Sequence, residues 1–162
     1  GEEFGGCAYG TEALGVMRIE KGHATGNELN GTTTALNLGM GHMVSTQKDS
    51  IGSVLSRRDG LTGDDALKLV GFKPCRTSDP VPAGSHLMTK GSPIDAKHDQ
   101  GYVTSTCYSP TLGHHIAIGF LKSGNQRLGE IVRLASPLTN IEHDVEVVSS
   151  HFVDPDGDKL RA

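Results

Sequence analysis

Residues 99–121 read DQGYVTSTCYSPTLGHHIAIGFL, and their alternation decides the class of the fold. Val103, Ser105 and Cys107 fall on one side of an extended chain, with Tyr102, Thr104 and Tyr108 on the other. After the turn sequence SPTLG (109–113), Ile116, Ile118 and Phe120 resume the period of two. Successive side chains of a strand point to opposite faces, so two half-buried antiparallel strands joined by a tight turn are expected.

The same pattern extends in both directions. Leu67 and Leu69 precede this hairpin, Val145 and Val147 follow it, and turn signals separate the runs: TSDPVPAGS (77–85), KGSPIDAKHDQG (90–101), KSGN (122–125) and SPLTN (136–140). Short strands punctuated this regularly predict a small antiparallel barrel or sandwich from about residue 66 onward. The composition agrees: 22 glycines, no Trp and seven Tyr and Phe in 162 residues suit many tight turns around a core of small aliphatic side chains.

Upstream the period changes. A short helix is expected from Thr11 as N-cap to Lys21, burying Leu14 and Met17, with Gly22 as its stop. A second is expected from Asp49 or Ser50 to Asp59-Gly60, with Ile51, Val54 and Leu55 at i, i+3 and i+4. The Gly-, Asn- and Thr-rich stretch TGNELNGTTTALNLGMG (25–41) reads as an ordered loop with a short extended piece.

Several function classes are disfavoured by the residues themselves. A net charge of −4, with neither sign gathered in a block, argues against nucleic acid or an anionic membrane as partner. No apolar run approaches the roughly 20 residues of a membrane span. Cys7, Cys75 and Cys107 are odd in number and widely spaced, so they read as free thiols in a reducing, cytoplasmic compartment. The eight histidines show no HxH or HxxxH spacing, and His114 and His115, adjacent on a strand, point apart, so no metal site is expected. GMGHMV (39–44) lacks the third glycine and the preceding strand of a dinucleotide fingerprint. Asp154, Asp156 and Asp158 imitate the start of a calcium loop, but Lys159 stands where its glycine belongs.

Residues 10–41, KDSIG (48–52), LVGF (69–72), 99–121 and FVDPDGDKL (152–160) together resemble the family of the glycine-cleavage aminomethyltransferase, the T-protein. Within it, RIEKGH (18–23) and ELNGTTTA (28–35) are more similar to the branch of heterotetrameric sarcosine oxidase alpha subunits than to the RLEAG of T-proteins. The resemblance implies a mainly β chain with an α+β N-terminal part. Residues 1–62 would be the incomplete C-terminal end of a folate-binding α/β domain, its last helix and loop, and residues 63–162 a six-stranded antiparallel C-terminal barrel.

A function is implied with the fold. In such an enzyme sarcosine is oxidatively demethylated, and tetrahydrofolate captures the one-carbon unit as 5,10-methylenetetrahydrofolate. FAD, FMN and NAD would bind outside this chain, and its partners would be the upstream part of the alpha subunit and the other subunits. The acids that read the pteridine would also lie upstream, so no catalytic residue is expected here. A folate-contacting Arg of T-proteins is replaced by Leu14, while Arg18 and Glu20 match the R-L-E positions and are the candidate folate contacts. A structural alternative ties these two residues to the loop around Asn27 and Glu28, or makes the barrel an assembly module without ligand contact; Tyr108 and SPTLG read as barrel structure. An exposed apolar patch beside residues 10–21 is expected on either reading.

Overall fold

Six strands carry the molecule: β1 (Leu67–Pro74), β2 (His86–Thr89), β3 (Asp99–Ser109), β4 (His114–Lys122), β5 (Ile131–Ser136) and β6 (Ile141–Val148). In this computed structural model, which describes residues 1–45 and 47–161, they close into a barrel in the order β1-β4-β3-β2-β5-β6. Every neighbouring pair is antiparallel. Closure leaves no unpaired sheet edge, which resolves the choice between barrel and sandwich. Among the described residues, no helix is long and apolar enough to cross a membrane.

Two cores share the strands. All six contribute to the inner one: Val70, Phe72, Leu87, Val103, Ala117, Leu121, Val132, Leu134, Val145 and Val147 pack together there. The outer one lies where helix α1 (Thr11–Glu20) crosses the barrel wall, and joins Ile19 to Ile116 and Ile118, with Leu69, Cys107 and Phe152 around them. β4 therefore serves both cores, and its alternating Ile116, Ile118 and Phe120 are the outward set.

A bulge corrects the reading of β3. Val103 lies opposite Gly119 but Ser105 lies opposite Ile118, so one extra residue is accommodated between them. An inserted residue turns the rest of the strand over. Val103 consequently packs inside the barrel, whereas Ser105 and Cys107, expected on the same face, lie outside under α1.

The upstream segment departs further from expectation. Thr11 is the first helical residue rather than the cap, and the N-cap position, Gly10, offers no side-chain bond. Helix α1 buries Ile19 and Glu20, leaving Leu14 51% and Met17 43% exposed, opposite to the expected burial. Residues 25–40 form successive hydrogen-bonded turns with no extended piece, and Asn37 docks them on β1 through bonds with Leu67 and Leu69. The second helix is reduced to a 3₁₀ turn at Leu55–Arg57 and a single helical turn, α2 (Asp59–Thr62). Ile51, Val54 and Leu55 are exposed, and without a surface to cover, their spacing does not sustain a helix interrupted by Gly52, Ser53 and Ser56.

Candidate functional site

The C-terminal end of α1 gathers the polar side chains of interest. The helix stops in a Schellman arrangement, with the His23 amide donating to the Arg18 carbonyl at 2.8 Å and the Gly22 amide to the Ile19 carbonyl at 3.0 Å. Gly22 takes φ +76°, and a Cβ there would meet the Ser150 carbonyl oxygen at 2.6 Å. The reversal brings Thr25 and Glu28 beneath Arg18.

Arg18 faces inward. Its guanidinium donates to Glu28 Oε2 at 3.0 Å and to Ser105 Oγ at 2.6 Å, and the Ser105 hydroxyl donates to Glu28 Oε1 at 2.6 Å. The Thr25 amide adds a bond to Oε2 at 2.8 Å. Glu28 is wholly buried. Burial by itself would raise its carboxyl, but the hydroxyls of Ser105 and Thr104, the Thr25 amide and the Arg18 charge together hold it below the ordinary carboxylate range.

Glu20 is engaged at both ends. Its carboxylate accepts from the Ser109 hydroxyl at the β3–β4 turn, and its carbonyl accepts from the amides of Phe152 and Val153, each at 2.9 Å. Lys21 then donates to the carbonyl of Asp154 and, at 3.0 Å, to its carboxylate. Three polar clasps thus fix α1 to β3, to the β3–β4 turn and to the segment after β6.

Arg18, Glu20 and Lys21 also border a cleft of about 390 Å³ between α1 and residues 153–159. Its floor is apolar, formed by Leu14, Met17 and Val153, and His23, Asp154 and Lys159 complete its lining. Behind α1, Cys107 is half-buried beside Arg18, and burial, with Glu20 adding to it, pushes its thiol up to about 11, which leaves it unreactive at neutral pH.

The remaining sequence candidates lie elsewhere. No three His, Cys, Asp or Glu side chains converge as a metal site among the described residues. Asp154 belongs to Lys21, and the GMGHMV stretch holds only a 3₁₀ turn at Gly41–Met43. Tyr108 packs edge-on against His115 at 5.5 Å between ring centroids. On another side of the barrel, His86 pairs with Asp99 at 2.8 Å and His98 with Asp95 at 2.6 Å around a smaller cleft. Ser105, Ser109, Lys21 and Asp154 were not anticipated as members of the cluster. The serines carry no sequence signal of their own, because β3 also holds Asp99, Gln100, Thr104 and Thr106, and alternation alone does not reveal the bulge that aims them outward.

Comparison with known proteins gives this geometry a context. The sarcosine oxidase alpha subunit of Rhizobium meliloti is 40% identical over 161 residues, covering 99% of this chain and 16% of that protein. The alpha subunit from Corynebacterium sp. is 34% identical, again over 16% of its length, so the chain spans about a sixth of these relatives. An aminomethyltransferase of Halothermothrix orenii is 32% identical over 94% of this chain and 41% of its own. In fold, the chain matches the glycine cleavage system aminomethyltransferase T from Bartonella henselae with a TM-score of 0.71 at 22% identity, covering 90% of this chain and 39% of that one. Residues 68–154, from β1 to just beyond β6, match the model of the glycine cleavage T-protein C-terminal barrel domain, and the chain belongs to that family.

Proposed function

We propose that this chain forms one wall of a reduced-folate site in a sarcosine-oxidising protein, where the one-carbon unit from oxidative demethylation is captured as 5,10-methylenetetrahydrofolate. The similarity to sarcosine oxidase alpha subunits along 99% of the chain supports the enzyme class. The observation that carries the folate reading is the apolar cleft rimmed by Lys21, His23 and Lys159. Its chemistry suits an aromatic ring joined to carboxylates. The division at residues 62 and 63, folate-binding end before and barrel after, belongs to the same proposal, as do a cytoplasmic setting, partner subunits, and FAD, FMN and NAD held outside this chain.

The residues present suit only part of a folate. Reduced folate supplies the two nitrogens that take up the one-carbon unit, and the pteridine bearing the first of them needs acidic partners, whereas the cleft's second acid beside Glu20, Asp154, is engaged by Lys21. Glu20 is committed to Ser109, and Arg18 to Glu28 and Ser105. The work of this chain is therefore to bind the tail end and to exclude water with Leu14, Met17 and Val153. Arg18 and Glu20, the candidate folate residues, shape the cleft from its border.

Without the pteridine contacts, several charge-assisted hydrogen bonds of roughly 1.5–3 kcal/mol each are missing. The 162-residue chain is expected to bind tetrahydrofolate no more tightly than about millimolar and to oxidise no sarcosine, whereas the longer protein with its partners does both. Calorimetry with reduced folate decides the first point. Micromolar binding would place the essential contacts within these residues, and a longer protein yielding only formaldehyde in the presence of folate would overturn the reading.

A second reading, an assembly module without ligand contact, is favoured by one observation: Arg18 and Glu20 are both consumed by internal bonds. Met17→Glu in the longer protein separates the two. Loss of folate capture with sarcosine turnover retained supports the folate wall; unchanged capture supports the module.

A further inference from the structure

Closure gives every strand of the barrel two neighbours, but not along its whole length. β3 is the longest strand, and β2 accompanies it only at Asp99, Gly101 and Tyr102, with Gly84 and Ser85 bonding to Val103 just beyond. From Ser105 to Ser109 it pairs with β4 alone. Alternate residues of an antiparallel strand turn their amide and carbonyl to opposite sides, so this overhang carries backbone donors and acceptors on an edge without a neighbouring strand. Between Thr104 and Tyr108, no backbone bond outside the β3–β4 pairing is present among the described residues. The edge is also undefended. Exposed edges are commonly blunted with Lys or Pro, whereas beyond the bulge the overhang reads Ser105-Thr106-Cys107-Tyr108, and Thr and Tyr are strong strand formers.

A groove of about 440 Å³ follows this edge. It joins one face of α1, with Glu12, Gly15 and Val16, to three consecutive residues of β3, Thr106, Cys107 and Tyr108. Successive side chains of a strand point to opposite faces, so a cavity that touches all three wraps the edge of the strand. No residue of β4 lines it, so the edge in question is the unpaired one. Gly15 opens the groove from the helix side. A Cβ there would meet nothing within 4 Å, so no contact among the described residues demands a glycine in mid-helix, where only proline is a poorer choice. Of the two charges in the lining, Arg18 is held by Glu28 and Ser105, while Glu12 has no counter-ion among the described residues.

We propose that this groove is filled by an added strand. An extended segment of about five residues pairs with the overhang of β3, lays small or β-branched side chains against Gly15 and Val16, and sets a Lys or Arg beside Glu12. The segment belongs to the same polypeptide, outside residues 1–162. Sarcosine oxidase alpha subunits are matched over 16% of their length and an aminomethyltransferase over 41%, so relatives of both kinds carry further chain of their own. A tethered strand acts at an effective concentration that a free one does not reach. A second copy fits less well: β3 contains no Lys, Arg or His, so pairing one overhang with another brings no cation from either strand to Glu12. The inference takes from the reading above only the existence of a longer protein, and needs no folate.

Amide hydrogen exchange in the 162-residue chain and in the longer protein tests it. The edge-facing amides of residues 105–108 should exchange at least about tenfold more slowly in the longer protein. Gly15→Leu fills the groove while favouring the helix, so the 162-residue chain keeps its fold; in the longer protein it should return these amides to fast exchange. Glu12→Lys should cut the protection about threefold, and remains readable if Gly15→Leu disturbs α1. With p-benzoylphenylalanine in place of Tyr108, irradiation of the longer protein should crosslink this position, within one polypeptide, to an extended segment outside residues 1–162.

Edge amides equally fast in both proteins would overturn the inference, as would protection that survives Gly15→Leu. A crosslink to a second copy or to a separate subunit would overturn the assignment of the strand to the same chain. Protected edge amides in a longer protein that captures no one-carbon unit on folate would sink the reading above alone; capture with the edge unprotected would sink this inference alone.

Discussion

Residues 11–20 and 49–60 carry the same helical spacing of apolar side chains, yet only the first is a helix along its length. Helix α1 has a barrel wall to cover: Ile19 enters the outer core, and Arg18, Glu20 and Lys21 reach three separate parts of the strand region. The stretch around Ile51 and Val54 covers no surface among the described residues, and both side chains are exposed. The difference teaches that the helix here is made by its attachments. Short helices are marginal in water whatever their spacing.

If so, cutting the buried attachment should have the largest effect. Arg18→Met strands the Glu28 carboxylate without its cation and should cost about 3 kcal/mol in denaturant unfolding. Amide exchange should accelerate through residues 11–21 while the inner-core strands stay protected. A loss under about 1 kcal/mol would mean that α1 is held mainly by Ile19. Gly22→Ala comes next, with an expected cost of about 2 kcal/mol from the left-handed backbone and the approach of Ser150.

Acid should act on the same clasp more gently. The Glu28 carboxyl lies lower in the folded chain than its ordinary value of 4.5, so the stability it contributes is complete above that value. It is lost as pH falls through the folded pKa below it. Acid titration of unfolding free energy should therefore be shallower below pH 4.5 in Glu28→Gln than in the parent chain. Identical slopes would remove Glu28 from the account. The smallest effect belongs to the control region: Val54→Ser should change stability by less than about 0.5 kcal/mol. A loss above 1 kcal/mol would show that residues 49–60 do pack on something.

What could be read beforehand follows the same division. Alternation located the β3–β4 hairpin and its SPTLG turn, and Lys21-Gly22 marked the helix stop, because these are set by local geometry. Alternation could not say that Ile116 and Ile118 face α1 while Val145 and Val147 face the barrel interior, since both sets are apolar. The bulge after Val103 was illegible because β3 itself carries no glycine or proline at that point; the glycine beside it, Gly119, lies on the facing strand, opposite Val103. Glu28 was visible as a possible partner of Arg18, but Asp154 lies 133 residues from Lys21 and resembled a fragment of a calcium loop.

That long reach also orders events in time. The contacts that hold α1 connect Arg18 to Ser105 across 87 positions, Glu20 to Ser109 across 89 and Lys21 to Asp154 across 133. Chains emerge from the ribosome N-terminal end first, so the segment that becomes α1 waits, with its receptor unmade, until the strands have been synthesised. Docking of this helix is accordingly a late step of folding, governed by closure of long loops rather than by helix initiation. During that interval Ile19, buried in the finished molecule, is available to bystanders beside Leu14 and Met17, and a nascent chain stalled before Ser105 would present all three on one sticky peptide.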